Sequence, residues 1–215
     1  MITIGIVANG PKELIPNLFH FRDEIDIWIG ADRGALLIAD KDIRLDYALG
    51  DFDSIDENEE NKIKESAVTF KKYPSEKNQT DIELAIEKAL ELQADTLYLF
   101  GVTGGRLDHE LINFQMLYML NNRSCKGIII DKFNHVELFL PGTHHIVKDE
   151  DFPNISLVPF SENVRSISLT GFYYPLKNFD LNWGSSRCIS NKLLLNNGTF
   201  SFDEGILLLI KSCDG

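Results

Sequence analysis

The chain has 215 residues, of which 44% are hydrophobic and 25% charged, values typical of a globular protein with a sizeable core. Its formal net charge of −12 argues against a general nucleic-acid-binding protein, since phosphate contacts need a basic surface. The three widely spaced cysteines fit neither a disulfide framework nor a zinc site, and no apolar run is long enough to span a bilayer. We therefore expect a cytoplasmic protein that binds neither nucleic acid nor membrane.

The first part of the chain alternates strand-like and helix-like patterns, which favours a parallel α/β sheet. Thr80 and Glu83 have the spacing of a helix capping box, and apolar residues recur behind them at helical intervals. The last helix of this part carries an apolar stripe formed by Leu107, Leu111, Phe114 and Tyr118. Strands are predicted at 2–8, 25–29, 47–49, 68–73 and 96–100, and helices at 35–41, 56–64, from 80 onward and at 106–120.

The second part of the chain lacks amphipathic helices. Short apolar runs separated by turn residues predict an antiparallel sandwich or barrel. We place the domain boundary at Pro141-Gly142, which gives an α/β domain at 1–140 and a β-sandwich domain at 141–215. The predicted strands here are 127–130, 136–140, 155–159, 164–169, 192–195 and 206–210.

An aspartate pair follows one of the predicted buried strands. Gly50 breaks the strand, and Asp51 and Asp53 would point the same way if the chain stayed extended. Paired carboxylates repel unless a cation lies between them, and Mg²⁺ usually takes one or two carboxylates together with substrate phosphates. A solvated acidic turn is the alternative interpretation of this segment alone.

Other polar groups also follow strands, and such groups converge at the carboxyl edge of an open α/β sheet. They comprise Asn9-Gly10, Asp32, Asp81 at a helix start, and the turn Gly104-Gly105-Arg106 with Asp108 and His109. Backbone N–H groups at a helix start attract phosphate, and arginine suits phosphate oxygens, although the glycines are equally compatible with a tight connection. Asp81 is likewise compatible with a simple first-turn stabiliser. Candidates for the edge of a phosphate site are Lys71, Lys72 and Lys77, although lysines that are simply exposed are the usual case.

Taken together, these segments resemble the thiamine pyrophosphokinase family. A late segment, Ser190-Asn191 preceded by Trp183-Gly184, resembles the thiamine-binding signature of that family. The order and spacing of the segments agree over nearly the whole chain. The matching segments are Ala31-Asp32-Arg33-Gly34-Ala35, Gly50-Asp51-Phe52-Asp53-Ser54-Ile55, Gln79-Thr80-Asp81 and Gly104-Gly105-Arg106-Leu107-Asp108-His109 with Asn113.

The resemblance implies an amino-terminal domain for Mg-ATP, a carboxyl-terminal β-sandwich, and a homodimer with thiamine bound where two subunits meet. It implies transfer of the pyrophosphoryl group of ATP to the hydroxyl of thiamine, which leaves AMP. By resemblance, Asp51, Asp53 and Asp81 hold Mg²⁺, while Arg106 steadies the transferring group. The nucleotide would be bound by Asp32, Gln79, Thr80, Gly104, Gly105 and Asn113, and thiamine by Ser190, Asn191 and Trp183. The proton acceptor stays open among Asp32, Asp81 and Asp108.

Two positions depart from the family pattern: Asn78 stands where an acidic residue is frequent, and Arg33 where a second glycine is common. Two rival functions remain at this point. A phosphatase of the haloacid dehalogenase type would use Asp51 as a nucleophile, but it would leave the Gly104–His109 turn unexplained. A non-catalytic sensor of thiamine or nucleotide would bind ligand without producing AMP.

Overall fold

The computed structural model describes residues 1–41, 43–76 and 78–215. The chain divides into two compact units, Met1–Lys132 and Phe133–Gly215. The sequence analysis placed the boundary after residue 140. The structural division falls earlier because the strand Asn134–Phe139 pairs along its length with Leu207–Ser212, and so belongs to the second unit.

The first unit is built on a parallel sheet, as the alternating pattern predicted. Neighbouring strands of this sheet are, in order, β4 (Ala67–Lys72), β3 (Leu45–Gly50), β2 (Ile27–Ala31), β1 (Thr3–Val7), β5 (Thr96–Phe100) and β6 (Lys126–Ile130), and every pairing in this series is parallel. Two short 3₁₀ turns, Lys12–Leu14 and Leu18–Phe21, follow the first strand. The elements are β1 (Thr3–Val7), β2 (Ile27–Ala31), α1 (Gly34–Ala39), β3 (Leu45–Gly50), α2 (Glu57–Ser66), β4 (Ala67–Lys72), α3 (Asp81–Glu91), β5 (Thr96–Phe100), α4 (Leu107–Asn122) and β6 (Lys126–Ile130).

The predicted capping box at the start of α3 is confirmed. The Thr80 hydroxyl accepts the Glu83 N–H at 3.3 Å, and the Glu83 carboxylate accepts the Thr80 N–H at 2.8 Å. Each side chain thereby satisfies a backbone donor that the helix leaves unpaired. The apolar face behind the cap is buried against the sheet through Ile82, Leu84, Ala85, Ile86 and Ala89.

The apolar stripe that the sequence shows on α4 is not the face that packs on the sheet. Leu107 is 68% exposed, and Leu111 and Tyr118 are exposed as well. The helix instead buries Met116, Leu117 and Leu120 against β6, where Gly127 gives these side chains room. Because α4 is apolar on both faces, helical periodicity alone does not indicate which face packs on the sheet.

The second unit is an antiparallel β-sandwich, which confirms the predicted fold class. One sheet has the order β7 (Asn134–Phe139), β13 (Leu207–Ser212), β9 (Asn154–Pro159), and the other the order β11 (Leu176–Asn182), β10 (Asn163–Thr170), β12 (Asn197–Phe202), β8 (Gly142–Val147). Their facing side chains form one core, in which Leu157, Val164, Phe200 and Leu209 are buried. The strands are β7 (Asn134–Phe139), β8 (Gly142–Val147), β9 (Asn154–Pro159), β10 (Asn163–Thr170), β11 (Leu176–Asn182), β12 (Asn197–Phe202) and β13 (Leu207–Ser212).

Several strands of the sandwich escaped the sequence analysis. β8, β11 and β12 were not predicted, because many of their residues are polar and the outer strand β11 is largely exposed. The run 192–195 was predicted as a strand but forms only an isolated bridge between Leu193 and Phe172. No helix among the described residues is long and apolar enough to cross a membrane.

Candidate active site

A cavity of about 490 Å³ lies at the carboxyl edge of the parallel sheet in the first unit. Loops after β1, β2, β3, β4 and β5 and the first turns of α3 and α4 supply its walls, which is the usual ligand position in open α/β sheets. The structure thus brings together groups that are far apart in sequence. Among the lining residues are Asn9, Asp32, Asp51, Ser75, Gln79, Thr80, Asp81, Thr103, Gly105, Arg106, His109, Glu110 and Asn113.

The aspartate pair is presented by a turn and not by an extended strand. Phe52 has a left-handed φ of 56°, is buried, and stacks on Phe70 with ring centroids 4.7 Å apart. Asp51 lines the cavity, and its Oδ1 accepts the Asp53 N–H at 3.2 Å. The expectation of an extended segment is therefore wrong, because the chain turns at Phe52 and the Phe52 ring packs in the core.

Asp53 is exposed and is not among the residues that line the cavity. Its Oδ2 accepts a short hydrogen bond of 2.5 Å from the Ser75 hydroxyl, and Ser75 does line the cavity. Sequence reasoning missed Ser75. The available signal was its position just after β4 and Pro74, at the same sheet edge as the aspartates.

Asp32 has one satisfied and one unsatisfied carboxylate oxygen. Its Oδ2 accepts the Ser54 hydroxyl at 2.7 Å, whereas its buried Oδ1 has no hydrogen-bond partner in the protein. Buried carboxylate oxygens are rarely left unpaired, so this atom calls for a cation, a water or a ligand donor. Because Asp32 lines the cavity, that partner would lie in the cavity or at its wall.

The glycine turn before α4 has two glycines with different physical roles. Gly104 has a φ of 76°, and an added Cβ would lie 2.0 Å from the Leu14 side chain, so the fold itself requires this glycine. A Cβ on Gly105 would meet no heavy atom within 4 Å. Since packing does not explain the second glycine, the free space beside it suits a ligand at a helix N-terminus.

Two buried hydrogen bonds hold this turn in place. The Asn113 side chain donates to the Val102 carbonyl, and the Thr103 hydroxyl donates to Asp131, each at 2.8 Å. The Gly104 N–H donates to Glu110 at 3.1 Å. The roles of Thr103 and Glu110 were not predicted, because polar residues in a loop and a helix give no sequence signal for such contacts.

Arg106 and Asp108 form a bidentate ion pair at the entrance of α4. Nε lies 3.2 Å from Oδ1 of Asp108, and Nη2 lies 2.6 Å from Oδ2. The hydrogen bonds from Arg106 lower the pKa of the Asp108 carboxyl and raise the pKa of the guanidinium. Both side chains are well exposed. Arg106 lines the cavity, whereas Asp108 is not among the lining residues.

The donors around the cavity fit Mg²⁺ bound together with phosphates better than a metal held by protein alone. Within residues 1–41, 43–76 and 78–215, no three His, Cys, Asp or Glu side chains form a ready metal-binding group. Magnesium ordinarily takes one or two carboxylates plus phosphate oxygens. Asp51 and Asp81 offer such carboxylates, and Asp32 adds its unsatisfied buried oxygen.

Two of the lysines proposed for the phosphate edge, Lys71 and Lys72, do not line this cavity. Lys72 forms an ion pair with Glu60 at 2.9 Å, and the Lys71 ammonium lies over the Tyr73 ring. Lys77 lies outside the described residues. Among the described residues that line the cavity, Arg106 is the one lysine or arginine.

Comparison with known proteins decides the family. Residues 19–129 match the family model described as thiamin pyrophosphokinase, catalytic domain, and residues 143–207 match its vitamin B1 binding domain. The chain is 49% identical to thiamine pyrophosphokinase of Bacillus subtilis (strain 168) over the full length of both. The chain belongs to the thiamine pyrophosphokinase family.

Solved structures of thiamine pyrophosphokinases agree with this assignment. The crystal structure of the Bacillus subtilis enzyme has a TM-score of 0.92 and 46% identity, covering 99% of this chain and 100% of that one. The structure from Geobacillus thermodenitrificans has a TM-score of 0.90 and 40% identity, covering 100% of this chain and 99% of that one. The α/β unit and the sandwich described above are thus the two parts of a thiamine pyrophosphokinase fold.

The residues predicted to bind thiamine lie in the sandwich of the second unit. Trp183 is 65% exposed, and Ser190 is exposed with a left-handed φ of 53°. Asn191 is only 4% exposed. Its Oδ1 accepts the Tyr174 and Lys192 N–H groups at 3.0 and 2.9 Å, and its Nδ2 donates to the Tyr174 carbonyl at 2.9 Å. The Asn191 side chain therefore holds two loops together.

Proposed function

We propose that this chain transfers the pyrophosphoryl group of Mg-ATP to the hydroxyl of thiamine and so produces thiamine diphosphate and AMP. The observation that carries the proposal is the match of one chain to both the catalytic and the vitamin B1 binding family models, with 49% identity to a thiamine pyrophosphokinase over its full length. The cavity chemistry supports it, because carboxylates, a glycine turn and an arginine surround one space.

The nucleotide phosphates are assigned to the cavity of the first unit. Asp51 and Asp81 are the proposed metal carboxylates, with Asp53 held beside them by Ser75. A bound Mg²⁺ would neutralise phosphate charge and orient the β-phosphorus. The open space at Gly105 admits a phosphate near the first-turn N–H groups of α4, and Gln79, Thr80 and Asn113 complete the nucleotide wall.

Three aspartates were open as acceptors of the thiamine hydroxyl proton. Asp108 is the poorest of them, because its ion pair with Arg106 lowers its pKa and stabilises the carboxylate. Asp32 has a buried oxygen that still lacks a protein partner. The proposed proton acceptors are therefore Asp32 and Asp81, and Asp81 is in addition a proposed metal carboxylate.

The reaction is tested by incubating the purified protein with Mg-ATP and thiamine and then separating nucleotides and thiamine esters. AMP and thiamine diphosphate in equal amounts, without ADP, are expected. ADP with thiamine monophosphate would contradict transfer from the β-phosphorus. Phosphate release without thiamine, with a phosphorylated Asp51, would support the phosphatase rival, and ligand binding without AMP would support a sensor.

We also propose that the protein is a homodimer with thiamine bound where two subunits meet. Exposed apolar side chains support a partner contact, since a soluble surface rarely carries large apolar groups together. On α4 these are Leu107, Leu111, Ile112 and Tyr118, and on the sandwich Tyr173, Tyr174, Leu194 and Leu195. Three free cysteines, two of them buried, agree with a reducing cytoplasm.

Leu111→Glu is expected to shift the protein from dimer to monomer, because it places a charge in the apolar face of α4. The shift is measured by light scattering after size-exclusion chromatography, against a chain mass of 24.4 kDa. Val68→Glu is the control, since Val68 is exposed on β4 and away from that face. A wild-type monomer would contradict the homodimer, and a dimeric Leu111→Glu variant would exclude α4 from the contact.

A further inference from the structure

Arg33, one of the two departures from the family pattern, joins two segments of the first unit. Its Nη1 donates to the Ser54 carbonyl at 2.9 Å, and its Nη2 lies 2.8 Å from Oε1 of Glu59. The ion pair is partly buried, with side-chain exposures of 32% and 25%. The guanidinium therefore connects the turn after β2 both to the segment that follows the aspartate pair and to α2.

Glu59 is itself fixed by the capping box of α2. Its second oxygen, Oε2, accepts the Asp56 N–H at 3.1 Å, while the Asp56 side chain accepts the Glu59 N–H at 2.9 Å. One carboxylate thus caps the helix and binds Arg33 at the same time. Since a capped helix end is rigid, the guanidinium is anchored to a fixed point.

Ser54 closes this set of contacts on the cavity side. Its hydroxyl donates to Oδ2 of Asp32 at 2.7 Å, while its carbonyl accepts from Arg33. Asp32 and Arg33 are neighbours in the chain, so the turn after β2 holds Ser54 by two separate bonds. The Ser54 hydroxyl thus satisfies Oδ2 of Asp32, and the buried Oδ1 is left to bind a ligand.

The aspartate pair lies immediately before this anchored segment. Phe52 has a left-handed backbone, a conformation that costs non-glycine residues free energy and persists only when the surroundings hold it. Core packing of the Phe52 ring holds one side, and the Ser75 hydroxyl bond to Asp53 holds another. The contacts at Ser54 hold the carboxyl-terminal side of the turn.

We propose that Arg33 is a positioning residue for the metal carboxylates. By anchoring Ser54 to the capped end of α2, it holds Asp51 and Asp53 in the arrangement that receives Mg-ATP. The proposal rests on the proposed function for the identity of the metal–nucleotide, but its geometric content concerns the aspartate turn alone.

The test compares Arg33→Ala with wild type in direct metal binding and in turnover. Mn²⁺ replaces Mg²⁺ and is measured by electron paramagnetic resonance, with an ATP analogue that carries an α,β-methylene bridge. Losing a group that orients metal ligands typically weakens affinity or activity about 10- to 100-fold. We expect the Mn²⁺ dissociation constant and the half-saturating Mg²⁺ concentration to rise about tenfold, with the KM for thiamine unchanged.

Two further variants separate positioning from stability. Glu59→Gln retains the helix cap, because glutamine serves at this capping position, but loses the charge that binds Arg33, so an intermediate rise in the Mn²⁺ constant is expected. Lys62→Gln is the control, since it breaks another ion pair of α2, with Asp40 at 2.7 Å, that does not touch the aspartate turn. Its Mn²⁺ constant should equal that of wild type.

A lower melting temperature of Arg33→Ala with an unchanged Mn²⁺ constant would overturn the proposal and leave Arg33 a purely structural role. Arg33→Lys keeps a cation but lacks the forked donors for both partners, and should recover only part of the affinity. Full recovery by lysine would show that charge alone suffices and would contradict the anchoring geometry. Failure of wild type to form thiamine diphosphate would refute the proposed function, while the Mn²⁺ comparison would still decide the role of Arg33.

Discussion

Replacing Asp81 by asparagine is expected to lower kcat for thiamine diphosphate formation by about 100-fold or more, the usual cost of removing one electrostatic group that acts on a transferring anion. Asparagine keeps the shape of the side chain and removes its charge. Asp81 lines the cavity from the first turn of α3. The fold should persist, because the capping box of Thr80 and Glu83 remains and a lost first-turn acid costs only about 0.3–1 kcal/mol.

Steady-state rates at saturating ATP and thiamine, over a range of Mg²⁺ concentrations, measure this effect, with a thermal unfolding curve for each variant. The matched control is Asp56→Asn, which also removes one carboxylate of the first unit. Asp56 caps α2, a position that asparagine fills equally well, and is not among the cavity residues. Near-normal turnover of Asp81→Asn at saturating Mg²⁺ would contradict the metal role of Asp81.

The two long helices of the first unit show what sequence periodicity can and cannot predict. α3 has one apolar face and a cap that only Thr80 and Glu83 can form, so its start and its buried face followed from the sequence. α4 carries apolar residues on more than one face, and the stripe seen in the sequence is largely exposed. What decides the packing of α4 is its contact with β6, which no local pattern contains.

The site was predictable in its location but not in its detailed geometry. The carboxyl ends of parallel strands share one edge of a sheet, so the gathering of Asp32, Asp51 and Asp81 follows from topology. The turn at Phe52 does not, because it depends on the Phe70 ring across the core. The Ser75 bond to Asp53 and the Arg33 bond to Glu59 likewise join segments that no spacing rule relates.

The thiamine role of Asn191 stays a prediction, and the structure adds the contacts that its side chain makes within the chain. The resemblance marks it as a thiamine residue, yet its side chain binds the backbone of Tyr174 and Lys192 and is almost fully buried. Its neighbour Ser190 is exposed, with its N–H bonded to the Ser156 hydroxyl. In this chain, Asn191 is suited to shape a thiamine site by holding Tyr174 in place, whereas Ser190 has the exposure that direct contact needs.

Arg106→Gln is expected to lower kcat by about 100- to 1,000-fold, since the guanidinium lies in the cavity wall and would stabilise charge on the transferring group. Stability should change little, because the ion pair with Asp108 is exposed.

The pH dependence of kcat distinguishes a direct role of Arg106 from an effect that acts through Asp108. Arg106 lowers the pKa of Asp108, so the substitution lets that pKa rise toward its ordinary acidic value, and Asp108 stays ionised at neutral pH in both proteins. The loss of kcat should therefore be constant between about pH 6 and 8.

The control is Arg165→Gln, which breaks a comparable exposed pair in the sandwich, where Arg165 lies 2.7 Å from Asp180. Its kcat should match wild type. The pair also lowers the pKa of Asp180, after the larger effect of the Ser166 N–H. The contribution of the Arg165–Asp180 pair to stability is thus present above the ordinary pKa of aspartate. It is lost only as the pH falls through the lowered pKa of Asp180. Equal losses of kcat in both arginine variants would mean that Arg106 acts only through the net charge of the protein. A loss for Arg106→Gln that appears only above or below neutral pH would mean that Arg106 acts through a titrating partner.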